Sequence, residues 1–197
     1  MNAFRRALTV FLLAGLLVAA PVAAAPPERV LVFTKTAKFR HDAIPVAVTT
    51  LQRRVVDDGM AADHTEDARV FTLENLARYR VVVFASTTGD VLEDAQQAAL
   101  EAFVRKGGGF IGVHAAADTE YDWPWYGQLV GAYFQNHPPG LQSTQVQPEK
   151  DGKPVGPRWP ITDELYNYRA NPRGQVQVIA TVDEREYDGG TMGADHP

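Results

Sequence analysis

Three short apolar runs restrict this chain more than any other feature: VLVF at 30–33, VVVFA at 81–85 and GFIGV at 109–113. Runs of four or five residues with no polar alternation suit strands covered on both faces, which is the condition of a parallel sheet between helical layers. The intervening segments have helical period. Residues 44–58 place Ile44, Val48, Leu51 and Val55 on one side, with Pro45 suited to a first turn and Gly59 to a stop. Residues 92–106 place Leu92, Ala99, Leu100, Phe103 and Val104 on one side, then Arg105 and Lys106 before three glycines. Strand, helix, strand, helix, strand implies an α/β fold with a mostly parallel sheet and right-handed crossovers.

The N-terminus speaks to compartment. Arg5 and Arg6 precede an apolar stretch from Ala7 to Ala20, too short to remain as a membrane span, so residues 1–24 are expected to be a secretory signal cut after Ala24. No Cys follows that would carry a lipid anchor. The expectation is a periplasmic or secreted protein with one domain over 25–197 and no membrane anchor after cleavage. Removing two arginines and no acids moves the formal charge from −5 to −7, which argues against nucleic acid and anionic membranes as partners. The absence of Cys excludes thiol nucleophiles, disulfides and sulfur metal ligands.

Past residue 115 the pattern loosens. Residues 123–134 are predicted to hold a short helix, 141–149 and 175–182 to be half-wet strands, and 150–160, rich in Pro and Gly, to be a surface loop. In an open parallel sheet, ligands bind beyond the carboxyl ends of the strands. The residues at those exits are therefore the candidates: Arg40 and His41 after the first run, Thr88 after the second, His114 and Asp118 after the third. Lys35 and Lys38 in the first connection are more simply read as solvated charges.

Gly112 and the alanines 115–117 leave room for a tight bend that exposes His114 at its tip, an arrangement resembling a nucleophile elbow with imidazole in place of serine or cysteine. Asp118 falls one helical turn further on, where it would orient the ring. Tyr121, Trp123, Trp125 and Tyr126, interleaved with Asp122, have the composition of a sugar platform, ring faces for C–H patches and a carboxylate for hydroxyls, although Trp123 and Trp125 are equally suited to burying a lid. Glu164 and Tyr166, in TDELYNYR, fit either a helix surface or a polyol site. His137 in NHPPG has little to mark it, and His64 receives no role. His114, His137 and His196 with nearby carboxylates are the candidates for a nitrogen and oxygen metal site, but their spacing demands none, so metal and cofactor are left unassigned.

Taken together, TKTAKFRHDAIP, TEDARVFTLENLARYRVVVF, TTGDVL, GGGFIGVHAAADTEYDWPWYGQLVGAYF, NHP, DELYN and GGTMGADHP resemble the ThuA-like (trehalose utilisation) family over essentially the whole chain after the signal. The resemblance implies a flavodoxin-like three-layer sandwich akin to the class I glutamine amidotransferases, whose elbow normally carries a catalytic cysteine. Here that position is His114, so thiol acyl transfer is excluded. The resemblance also implies a role in carbohydrate metabolism with a small-molecule sugar as partner. Relatives continue past the ADHP segment into a further strand and a Gly-His-Thr stretch. Either this sequence is a fragment, truncated at its C-terminus, or that strand and one site histidine are absent.

The expected function is action on a sugar or oxidised (keto) sugar. His114, Asp118 and Glu164 would be catalytic, while Arg40, His41, Thr88, Tyr121, Asp122, Trp123, His137 and Tyr166 would bind substrate. The alternative is a non-catalytic carbohydrate-binding or interaction module using the same crevice. Amide hydrolysis through an acyl-imidazole ranks last, because it needs an oxyanion hole that no sequence feature supplies.

Overall fold

The computed structural model describes residues 27–193, 196 and 197, so the expected signal segment and the residue on either side of its cleavage site lie outside the described residues. The first half alternates strand and helix: β1 (Arg29–Phe33), α1 (Ile44–Asp57), β2 (Ala61–Thr65), α2 (Leu73–Leu76), β3 (Val81–Ala85), α3 (Asp94–Arg105) and β4 (Gly109–Val113). The four strands form one parallel sheet in the order β2-β1-β3-β4, as in a flavodoxin-like fold. β1 pairs in register with β3, Val30 opposite Val81 and Phe33 opposite Phe84.

Alternation within the apolar runs sends side chains to two cores. Leu31, Phe33, Val82 and Phe84 face Leu100 and Phe103 of α3 together with Phe71 and Leu76. Val30, Val32, Val83 and Ala85 face the Val48, Leu51 and Val55 stripe of α1. Three layers result because both faces of the inner strands need covering. The first core is aromatic at its centre: Phe33 lies 4.7 Å from Phe71 edge-on and 5.1 Å from Phe84. The predicted helix over 92–106 begins at Asp94 because Glu93 is its N-cap. The Glu93 side chain takes the Gln96 N–H and the Gln96 side chain takes the Glu93 N–H, a capping box.

The second half is less regular. α4 (Pro124–Val130) is followed by β5 (Phe134–Asn136), β6 (Gln142–Lys150), β7 (Lys153–Pro154), β8 (Trp159–Asp163), β9 (Asn167–Tyr168) and β10 (Ala180–Val182). β6 pairs antiparallel with β7, β8 and β10, and β5 with β9. Three sequence expectations need correction here. The stretch 150–160 is not all loop: Asp151 and Gly152, both at positive φ, make the two-residue turn of a hairpin whose arms are β6 and β7. Only the last three residues of 175–182 form a strand: Ala180 sits opposite Pro148, which brings no N–H to the ladder, the Glu149 N–H still reaches the Ile179 carbonyl at 2.8 Å, and β6 then turns into the hairpin. TDELYNYR is not helical; β8 ends at Asp163 and β9 begins at Asn167.

Candidate functional site

The site is built by how the chain leaves three parallel strands. Beyond β1 the chain leans over the exit of β3. Thr36 bridges Thr88, the Ala37 N–H donates to the Thr88 carbonyl at 2.7 Å, and the Thr88 hydroxyl donates to the Phe39 carbonyl at 2.7 Å. Gly89, at φ +72°, permits this approach, because a Cβ there would stand 2.9 Å from Cγ of Lys38. The loop thus carries His41 across β3 toward the end of β4.

At that end the chain turns sharply. His114 has φ +52°, the left-handed region, and opens a short 3-10 turn through Asp118. The turn fits because Gly112 lies against Ala116 and Val130, where a Cβ would already be tight at 3.2 and 3.4 Å, and alanines 115–117 are buried. Tyr126 of α4 pins the turn by donating to the Ala116 carbonyl at 2.8 Å.

A third segment covers these rings. Asn167 of β9 is buried and donates to Asn136 Oδ1 at 2.8 Å and to the Gly189 carbonyl at 3.0 Å, while Thr191 N–H donates to its Oδ1 at 2.9 Å. That anchorage holds the preceding residues 164–166 over the sheet edge. Glu164 Oε2 lies 3.4 Å from Nε2 of His41 and 3.4 Å from Nε2 of His114. Tyr166 Oη lies 3.2 Å from His114 Nε2 and 3.5 Å from His41 Nε2. The two imidazoles are 4.6 Å apart edge to face, and the Tyr166 ring lies 4.5 Å from His114. Four polar groups from three distant segments therefore converge on one point. Three of them, His114, Glu164 and Tyr166, border a cavity of about 430 Å³ whose lining also includes Gly131, Val176 and His196.

Burial sets the protonation states. Removal from water, and then the neighbouring His41, pull the His114 pKa below its ordinary value, against the pull of Asp163 and Glu164. Burial and the Glu164 carboxylate push the Tyr166 phenol well up. At neutral pH the cluster thus holds a neutral imidazole beside a protonated phenol, a base and a hydrogen-bond donor side by side. His41, His114 and Glu164 also bring one ligand atom each within 4.8 Å of one another, so these are the residues able to hold a metal ion.

The other candidates fall elsewhere. Asp118 does not orient His114: in a 3-10 turn three residues, not four, close the repeat, and its Oδ1 accepts from Tyr121 Oη at 2.6 Å. Asp118, Tyr121 and Asp122 line a separate polar hollow of about 590 Å³ with Lys38 and Arg169. There the Arg169 guanidinium lies over the Tyr121 ring at 4.2 Å. Thr88 is fully buried and braces the loop rather than facing a ligand. Arg40 is exposed and paired with Glu66 at 2.6 Å. Trp123, partly buried, packs against Trp125 at 4.9 Å and onto the core, apart from the His41 and His114 pair. His137 stacks behind Tyr166 at 5.9 Å, with Nδ1 2.7 Å from the Pro138 carbonyl. His196 is buried beside Glu184 at 3.0 Å, away from the His41 and His114 pair. His64 lies 2.8 Å from the Thr34 hydroxyl.

Sequence reasoning missed Arg169, whose signal was faint: one basic residue after an aromatic stretch. It also missed Glu120, fully buried, whose Oε1 takes the Val91 and Leu92 N–H groups at 2.7 and 2.8 Å and ties the turn to the start of α3.

Comparison with known proteins bears on the same fold. A family model described as "Trehalose utilisation" (ThuA) matches residues 29–197. A putative ThuA-like protein from Bacteroides uniformis superposes with a TM-score of 0.72 at 23% identity, over 90% of this chain and 78% of that one. One from Parabacteroides merdae gives 0.66 at 19%, over 87% and 73%. No curated protein is similar enough to count as a match.

Proposed function

Because this chain belongs to the ThuA family, broadly linked to trehalose utilisation and carbohydrate metabolism, we propose that it is an exported protein that acts on a sugar or keto-sugar at the His41, His114, Glu164 and Tyr166 cluster. The convergence of those four groups, three of which line a cavity of about 430 Å³, is the observation that carries the reading. A monosaccharide unit is matched to such a space, since small-molecule sites start at roughly 300 Å³.

In this reading His114, held neutral, accepts a proton from a substrate hydroxyl or from carbon next to a carbonyl. Tyr166, held protonated, donates a hydrogen bond to the oxygen on which negative charge develops. Glu164 takes the supporting part first expected of Asp118: its carboxylate faces both rings and stabilises whichever imidazole carries the proton. His137 backs the Tyr166 ring. A keto-sugar suits this set best, because a base and a phenol donor are what enolisation next to a carbonyl requires.

The test is a panel of free sugars, disaccharides and their keto derivatives incubated with the purified protein and followed by mass spectrometry. The expected result is turnover of at least one keto-sugar, reduced by about 100-fold or more in His114→Ala, the usual range for losing a general base. Turnover unchanged in His114→Ala would remove the mechanism. Saturable binding with no product from any sugar would favour the non-catalytic binding module.

A further inference from the structure

We propose that His41, His114 and Glu164 form a binding site for one divalent first-row transition ion of the zinc type. The site shares residues with the sugar site and is a different use of His114, since an Nε2 that ligates an ion has no lone pair left to accept a proton. Metal binding is measured with no sugar present, so it is tested independently.

The distances within the cluster do not suit plain hydrogen bonds. A charged imidazole and a carboxylate that hydrogen-bond one another close to about 2.7–2.9 Å. Here one oxygen, Glu164 Oε2, stands 3.4 Å from both Nε2 atoms, equally far from each and bonded well to neither. Zinc holds imidazole nitrogen at about 2.0–2.1 Å and carboxylate oxygen at about 2.0–2.2 Å, so neighbouring ligands around a tetrahedral ion are separated by roughly 3.3–3.5 Å. The two nitrogen to oxygen separations match that edge, and all three ligand atoms lie within 4.8 Å of one another.

The chemistry of the donors agrees. Two imidazoles and one carboxylate suit zinc and its first-row neighbours, whereas calcium and magnesium prefer all-oxygen shells. Three protein ligands leave a position open, the pattern of catalytic rather than structural zinc. Tyr166 Oη, 3.2 Å from His114 Nε2, stands beside that position as a hydrogen-bond donor to whatever fills it. The ring of His41 engages polar atoms only through Nε2: its Nδ1 is buried with no hydrogen-bond partner among the described residues. Both histidines are well buried, His41 at 12% and His114 at 23% side-chain exposure, so they are not surface groups that gather ions adventitiously. Burial also explains why the ligands stay in place: His114 is set by its turn, His41 by the loop bridged to Thr88, and Glu164 by the anchor at Asn167.

The experiment is calorimetric titration of ZnCl2 into the tag-free full chain after chelator treatment. One equivalent is expected to bind the wild type. His41→Ala, His114→Ala and Glu164→Gln should each weaken binding by about 100-fold or more, beyond the 10–100-fold typical of losing a supporting contact. His64→Ala, outside the cluster, should bind as the wild type does. Circular dichroism establishes that each variant is folded. Co2+ added to the wild type supplies a readout that needs no variant: visible d–d bands of a low-symmetry nitrogen and oxygen site are expected. Absence of saturable Zn2+ binding to the folded wild type, or a one-to-one site that survives His114→Ala, overturns the proposal. Either result leaves the sugar reading standing, and loss of sugar turnover alone leaves this one standing.

Discussion

His114 combines exposure to a cavity with a backbone conformation that few side chains choose. At φ +52° an L-residue pays roughly 1–2 kcal/mol that glycine does not. The two truncations of this residue should therefore separate strain from contact. Both His114→Ala and His114→Gly lose the ring, but the glycine variant is expected to be the more stable by about 1 kcal/mol, since relief of strain outweighs glycine's extra chain entropy. Urea denaturation of the two variants checks this; equal stabilities would mean that the turn relaxes once the ring is gone. Single residues were also where sequence reasoning reached furthest and then stopped. His41 and His114 are nameable as polar groups at strand exits, Glu164 and Tyr166 only as a carboxylate beside aromatics. Which four meet depends on the Thr88 bridge, the Asn167 anchor and the 3-10 turn, none of which has a linear signature. Asp118 shows the cost: assuming an α-helical turn gives it a place beside His114 that three residues per turn take away.

At the scale of elements, pairing between neighbouring strands carries its own ion pair. Arg29 of β1 reaches Asp63 of β2, with Nη2 2.6 Å from Oδ2, and Tyr79 donates to the same oxygen at 2.8 Å. The hydrogen bonds from Arg29, opposed by partial burial, hold the Asp63 pKa below its ordinary 3.8. A lowered carboxylate pKa gives stability that is fully present above the unfolded value and disappears as pH falls through the folded one. Asp63→Asn should thus cost about 0.5–1 kcal/mol at pH 7, the upper part of the range for a pair about one-third exposed, and the gap to wild type should close below about pH 4. Thermal melts across that window test it; a gap independent of pH would assign the loss to packing. Elements also divide into the readable and the unread. The three apolar runs and the α1 and α3 stripes announce themselves by period. The Asp151-Gly152 hairpin was equally open to reading, as Asp-Gly is a strong two-residue turn signal, but the prolines around it suggested loop. The 175–182 stretch alternates faithfully, yet only Ala180–Val182 forms a strand, because β6 leaves it to turn into its own hairpin just past Pro148.

For the whole molecule, a parallel sheet with helices on both faces follows once strands buried on two sides are recognised, whereas the order β2-β1-β3-β4 and the polar edge strand β2 have no such signal. The antiparallel half does not follow, since all its strands but β6 are five residues or shorter and their pairing is set by turns. Export belongs to this scale too. If the proposal holds, protein recovered from its native cell should be found outside the cytoplasm and begin at Ala25; N-terminal sequencing of a cell fraction decides it, and intact Met1 on the accumulated protein would contradict it.

The bridges Thr36 to Thr88 and Gly89 to Thr119 carry sheet-like pairing beyond the strand ends, into three connections that would ordinarily be free to vary. Loops are where protein families accept insertions and where engineers graft new specificity. In this molecule that freedom is withdrawn from the connections that carry His41 and His114, since lengthening any one of them would unpick its neighbours. Diversification of ligand choice, by evolution or in the laboratory, is thereby channelled into the limb between β5 and β9, which supplies Glu164 and Tyr166 and whose hairpin can change length without disturbing either imidazole.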